Sequence, residues 1–328
     1  MGMKASLIVM VVLLAASLAT AQKYPNPAPA SGVQGAPQGQ GSSPQPAPSG
    51  GQAQPPASGS RVLQAKSQEE LKAYQDAAAI TDPAQMAAAA DAFAAKYPDS
   101  ELKGTLFVRA MTLYGQANNG EKIIETGRKA IAADPINPVP LVQVGSVLAE
   151  TTRDTDLDRE QRLNEAGKDA QAAIDNIDKG LIVPPNAPAD KVAAAKTNIL
   201  IMAYDTLGMV NLNKKDFASA EQSLLKAADL GKANPEAVIY LRLSVAQDQL
   251  KKYPQALDSA NKALQYAPQG STAQNLAKQQ QLRVQKLLDA ESSSRQAAPG
   301  AATPAPAKPA TQPSTDQPSG ATPPPVPH

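Results

Sequence analysis

The chain has 328 residues, of which 42% are apolar and only 3% aromatic, with 31 basic against 30 acidic side chains and a formal net charge of +1. That balance leaves no electrostatic footprint for nucleic acid or an anionic membrane surface, and the lack of any cysteine excludes disulfides, thiolate metal sites and cysteine nucleophiles. The single histidine is the last residue, His328, so histidine acid–base catalysis and histidine zinc sites are removed from the folded part.

Residues 1–21 read as a secretory signal peptide: Lys4 and the amino terminus give a positive start, Leu7 to Leu18 is an apolar run, and Ala19-Thr20-Ala21 is a small-x-small cleavage pattern. The run is far shorter than the roughly 20 residues a bilayer span needs. The expectation is an exported chain, periplasmic or extracellular, with no transmembrane segment after cleavage. Residues 22–61 are rich in Pro, Gly, Gln and Ser and cannot bury enough apolar surface to offset chain entropy, so they read as a disordered linker, partly polyproline II. The alanine-rich block 62–292 reads as one helical repeat domain. Residues 293–328 return to Pro and Ala as a second disordered tail.

Within the central block, Ser67-Gln68-Glu69-Glu70 is a capping box that opens a helix to about Ala79. Asp82-Pro83 opens a second helix, which ends at Tyr97-Pro98-Asp99-Ser100. A clearer pair follows, with Phe107, Ala110, Met111 and Tyr114 on its first helix, Asn118-Asn119-Gly120 as the turn, and Ile123, Gly127 and Ala130 on its second. Gly127 stands where bulk is expected, which predicts a locally loosened helix. Leu141, Val144, Gly145 and Leu148 begin the next pair, and its second helix, with Ala166, Ala170 and Ala173, is delayed by a charged insertion from Arg153 to Arg162. Residues 182–188 form a Pro-rich break, after which Asp190 starts a long helix to about Leu212.

Two stretches of one pattern then follow each other. The first is Tyr204, Leu207, Gly208, Asn211, Phe217, Ala220, Leu224 and Ala227; the second is Tyr240, Leu243, Ser244, Gln247, Tyr253, Ala256, Ala260, Ala263 and Pro268, with Ala256 lying 36 residues after Ala220. Gly208 and Ser244 are expected to meet Ala220 and Ala256, because only small side chains let helix axes approach to about 8–10 Å. This tandem pattern resembles the tetratricopeptide repeat (TPR), whose period is about 34 residues. The ending Phe93 and Tyr97-Pro98-Asp99-Ser100 is similar to repeats of bacterial envelope TPR proteins of the outer-membrane assembly type. The resemblance implies an all-α fold, a right-handed TPR-like α-solenoid of antiparallel helix pairs flanked by disordered Pro-rich tails, and a recognition role without catalysis. Ser271 caps a last helix carrying Leu276, Val284, Leu287 and Leu288, which would shield the end of the solenoid.

Placed on the family pattern, the groove-facing positions are Thr105, Val108, Thr112 and Gln116, then Val142 and Ser146, then Met202, Asp205, Met209 and Asn213, then Val238, Leu241, Val245 and Gln249. The resemblance thus implies a mixed groove suited to an extended peptide or a partner helix. TPR families that clamp a C-terminal carboxylate carry Lys and Asn where this chain has Val108, Asp205, Met209, Leu241 and Val245, so that ligand is not carried over. A second candidate lies in the insertion. Asp154, Asp156 and Asp158, with Glu160 between and Glu165 at the twelfth position, resemble a calcium loop, but Arg159 stands where the sharp turn calls for glycine. No nucleophile has a recognisable base beside it, and no cofactor is expected. The reading is an exported interaction scaffold for a protein or peptide partner, with an envelope spacer acting through its arms, or a carboxylate-based cell-wall enzyme, as the alternatives.

Overall fold

The structure, a computed structural model, describes residues 61–184 and 186–297. The expected signal peptide, most of the linker and nearly all of the C-terminal tail lie outside the described residues. Among those described there are twelve helices and no strand. The first six are α1 (Gln68–Ala78), α2 (Pro83–Lys96), α3 (Lys103–Gln116), α4 (Gly120–Ala133), α5 (Pro138–Thr151) and α6 (Arg159–Asp175). A single turn, α7 (Ile177–Gly180), precedes α8 (Ala189–Asn213), α9 (Phe217–Leu230), α10 (Ala237–Gln249), α11 (Tyr253–Tyr266) and α12 (Thr272–Ala297). Successive antiparallel pairs stack into an all-α solenoid, each helix packing on the next, and α12 lies across α10 and α11 at the end.

Side-chain caps set the starts of the helices. Asp82, Asn119 and Asp216 accept from the backbone N–H three residues on, at 2.8, 3.1 and 3.1 Å, each satisfying a donor that the helix cannot. Ser67 caps α1 as the sequence predicts, with its Oγ 3.1 Å from Glu70 N. The reciprocal bond differs: the Glu70 carboxylate accepts from Lys66 N at 2.6 Å, one residue before the cap. Ser271 and Gln274 repeat that geometry at α12, with Gly270 N donating to Gln274 Oε1 at 2.8 Å.

The turns inside three pairs share one conformation. Asn118, Lys215 and Lys251 have φ of 52°, 63° and 60°. The next residue's N–H then reaches back five residues, Asn119 to Tyr114 O at 3.0 Å, Asp216 to Asn211 O at 2.9 Å and Lys252 to Gln247 O at 2.9 Å. This is the Schellman closure, which satisfies carbonyls left open at a helix end. Among the described pairs, α1–α2 and α5–α6 lack a turn of this kind: residues 79–82 join the first without a left-handed residue, and the charged insertion joins the second.

The small-residue crossings carry the packing, with two corrections to the sequence reading. Ser244 meets Ala256 directly, its buried Oγ donating to Ala256 O at 2.7 Å. Gly208, however, is filled by Leu224 and not by Ala220: a Cβ at 208 would lie 2.5 Å from Leu224 Cγ. Leu224 sits one turn beyond Ala220 on the same face of α9, and the longer side chain reaches into the cleft the glycine leaves. Gly127 does not loosen α4 either. A Cβ there would come within 2.3 Å of Val144 Cγ2 and 2.9 Å of Met111 Sδ, so the glycine is the socket into which α5 and α3 both press. α8, at 25 residues, is nearly twice as long as its neighbours, and its first half packs Val192, Ala195 and Ile199 against Val142 and Leu141 of α5 and Ala173 of α6.

Candidate functional site

The predicted groove positions do not form one continuous surface. On α10, Val238, Leu241 and Val245 are half-buried and Gln249 is exposed, and none of the four belongs to a core cluster. At about 100° per residue they share one side of the helix, opposite the side on which Ser244 and Gln247 contact Ala256 and Ser259 of α11. This stripe is available as expected. On α5 and α8 the outcome differs. Val142 is 1% exposed and packs into the core with Val192, Ala195, Ile199 and Ala203. Met209 is buried beside Met111, Tyr114 and Val210. Val142 is a core residue because the extended α8 fills the space a regular repeat would leave open beside α5, and Met209 is one because its side chain joins the cluster formed by α3, α4, α5 and α6. Ser146 and Met202 remain half-buried at the edge of this plug. Asn213 is spent on a helix contact, its Nδ2 donating to Ala149 O at 3.2 Å. Thr112 is buried with its hydroxyl bonded to Val108 O at 2.9 Å, whereas Val108 is half-buried.

Asp205 is likewise buried, and it forms an ion pair with Arg242 of α10. The same guanidinium lies 3.7 Å from the Glu150 carboxylate at the end of α5. One arginine therefore ties three successive pairs together. Burial pushes the Glu150 and Glu236 carboxyls above their ordinary values, and the charge of Asp205 acts in the same direction. Asp205 Oδ1 has no hydrogen-bond partner. Paired in this way across three helices, the groups act as a structural clamp.

At the other end the four groove positions read on α3, Thr105, Val108, Thr112 and Gln116, do line one cavity; what sequence reasoning missed is the segment that walls it. Residues 61–66 run extended against the solenoid. Arg61 N donates to Leu181 O and Val183 N to Arg61 O, both at 3.0 Å, forming an isolated parallel bridge with Ile182. The Arg61 guanidinium pairs with Asp134 and reaches Gly180 O at 3.3 Å. Gly180 is itself pressed against the chain: a Cβ there would lie 1.7 Å from Ile136 O, which no other residue could accommodate without moving the backbone. Between this strap and helices α1, α3 and the start of α5 is a cavity of about 810 Å³, walled by Leu63, Leu71, Tyr74, Val108, Val139 and Val183, with Arg109 also lining it. The one sequence signal for the strap is Val62-Leu63, an apolar pair between the Pro-rich linker and the Ser67 cap.

The acidic insertion does not assemble a calcium loop. Asp154 pairs with Arg159 at 3.1 Å, Asp156 accepts from Arg153 N at 2.8 Å, and Asp158 lies 3.9 Å from Arg162. Glu165 is held by Arg128 across two helices through two 2.7 Å bonds. Among the described residues no three acidic or imidazole side chains come together as metal ligands. Each acid has a cation or amide closer than any shared centre, which is why the D-x-D-x-D spacing fails here.

No protein-family profile matches the chain, and no curated protein does. Among solved structures it is similar to the assembly chaperone of RpL4 (Acl4, residues 1–338), at 10% identity and a TM-score of 0.37 over 68% of this chain and 99% of that one. A likeness at that level carries no argument about function, and the all-α solenoid stands on the helices themselves.

Proposed function

We propose that the protein is a non-catalytic interaction scaffold exported to the cell envelope, binding a peptide or partner helix along the inner stripe of α10 and the adjoining edge of α8. The observation that supports this is the pattern Val238, Leu241, Val245 and Gln249: three half-buried apolar residues and an amide on one helix side, outside every core cluster. Half-exposed apolar stripes at helical spacing are the anchors that helix-in-groove recognition uses. The Arg242 clamp beneath keeps α8 and α10 at fixed separation, so the surface is preorganised. Export rests on Lys4, the Leu7 to Leu18 run and Ala19-Thr20-Ala21 alone; no helix among the described residues is long and apolar enough to cross a membrane.

The test is capture from an envelope extract of the source cells, with the mature chain and a Leu241→Glu/Val245→Glu variant as parallel baits. Two carboxylates on the stripe should abolish capture of the partner while circular dichroism stays unchanged. Equal capture by both baits, or loss only when residues 22–60 or 298–328 are deleted, would transfer the binding role to the arms. Fusing residues 1–30 to a reporter active only outside the cytoplasm tests export separately.

A further inference from the structure

Five arginines among the described residues are half-buried, namely Arg61, Arg109, Arg159, Arg162 and Arg242. Four of them face a carboxylate: Asp134, Asp154, Asp158 and Asp205 respectively. Arg109 faces none. Its only hydrogen bond is a long one, from Nη2 to Ile80 O at 3.4 Å, and its Nε is buried without a partner. A guanidinium N–H removed from water without a partner, as Arg109 Nε is, costs free energy that an anionic ligand would recover.

Arg109 lines the cavity under the strap. Among the described residues that wall this cavity there is no Asp or Glu, and a second cation, Lys66, stands on the strap. Elsewhere the wall is mainly apolar, and the hydroxyls of Thr105 and Thr112 are already used on the helix carbonyls of Leu102 and Val108. A space of about 810 Å³ falls within the roughly 300–1,000 Å³ of small-molecule sites, which are typically apolar with a few convergent polar groups. We propose that this cavity binds an anionic amphiphile, a long apolar chain bearing one carboxylate, with Arg109 holding the head group and the strap covering the tail. The planar guanidinium fork matches a carboxylate in two parallel hydrogen bonds. A small ligand is favoured over a macromolecule because the space is of small-molecule size and residues 62–68 form part of its wall.

This site lies on α1, α3 and the strap, away from the α10 stripe, so either reading can fail alone. The experiment is calorimetric titration of the full mature chain with dodecanoate, dodecan-1-ol and dodecylamine, each below its micellar concentration. Dodecanoate should saturate one site per chain, the alcohol should bind at least about tenfold more weakly and the amine not at all. Arg109→Gln should weaken dodecanoate by roughly 10- to 100-fold, the range for losing a charge-assisted hydrogen bond, and Arg109→Lys, which keeps the charge but loses the two-pronged fork, should fall between Arg109→Gln and the native chain. If Arg109→Gln does not fold, the head-group series on the native chain still decides. Absence of saturable dodecanoate binding, equal affinity for acid and alcohol, or an Arg109→Gln variant that binds as well as the native chain overturns the proposal. So does displacement of dodecanoate by a peptide but by no other carboxylate amphiphile.

Discussion

Gly208 and Leu224 give the sharpest test of how this solenoid holds together. Replacing Gly208 with alanine improves the intrinsic helix preference of α8 by about 1 kcal/mol. Against that gain, the new Cβ would stand 2.5 Å from Leu224 Cγ and 2.6 Å from its Cδ2. The nearest of these atoms is the branch point of a fully buried side chain, not the free end of a flexible one, so it cannot swing aside. Overpacking of this kind costs about 1–3 kcal/mol, and the net expectation is destabilisation of about 1 kcal/mol. Leu224→Ala alone should cost about 2–5 kcal/mol through the lost transfer energy and the cavity left behind. In the double variant the alanine at 208 occupies part of that cavity, so the two changes should be less than additive by about 1–2 kcal/mol. Urea unfolding followed by circular dichroism and by tyrosine fluorescence measures all three, with coincident transitions confirming that the free energies are defined. A Gly208→Ala variant as stable as the native chain, or a coupling found to Ala220→Gly in place of Leu224→Ala, would refute this account of the crossing.

Three further outcomes follow from particular residues. Lys215 and Lys251 hold positive φ in the Schellman turns, so Lys215→Gly should raise stability by roughly 0.5 kcal/mol, the relief of left-handed strain being partly offset by a freer unfolded chain; a lower urea midpoint would count against the turn geometry. Burial, with the Glu165 charge adding, pushes the Asp169 carboxyl up to about 6, so the folded state holds a proton that the unfolded state releases above about pH 4, and stability falls as pH rises from there to 6. Asp169→Asn should therefore stabilise at pH 8, by on the order of 1 kcal/mol once its partial exposure is allowed for, and have no effect at pH 3; equal effects at both pH values would exclude a shifted carboxyl. Arg61→Glu sets two carboxylates against each other at Asp134 and should release the strap, seen as faster tryptic cleavage after Lys66 with the helices intact; an unchanged cleavage rate would mean the bridge to Ile182 alone holds the strap.

Much of the fold was legible because it is repeated. The 36-residue interval from Ala220 to Ala256 reappears as the interval between the left-handed residues Lys215 and Lys251, and one periodicity cannot arise twice by accident of composition. Caps were legible for a different reason: Ser67, Asp82 and Ser271 act within three residues, so no tertiary context is needed to read them. The identity of the atom that fills Gly208 was not legible. Ala220 and Leu224 lie on one face of α9 a turn apart, and which of them enters the cleft depends on the axial offset of two helices, a quantity that a one-dimensional pattern does not contain.

The site was less legible than the fold for the same kind of reason. A repeat pattern assigns every first helix the same inward face, and that assignment assumes identical neighbours. α8 breaks the assumption, since its additional N-terminal half packs Val192, Ala195 and Ile199 onto α5. Val142 is thereby converted from a groove position to a core position, and Met209 joins the core separately, with Met111, Val144 and Leu163. The inner surface is consequently divided in two. One part, on α10, keeps the apolar stripe that the repeat pattern predicts; the other, under residues 61–66, is shaped by a segment with no repeat character at all. Arg109 shows why that second part escapes periodic reasoning. It sits at helical spacing from Thr105 and Thr112 and reads in sequence as one more solvated cation. Its meaning comes from what the fold around it takes away, namely water at Nε and any carboxylate in the cavity wall among the described residues. A charge becomes informative when the fold leaves it without a partner, and that condition is set by the strap and the helices around it rather than by the residue's own place in the repeat.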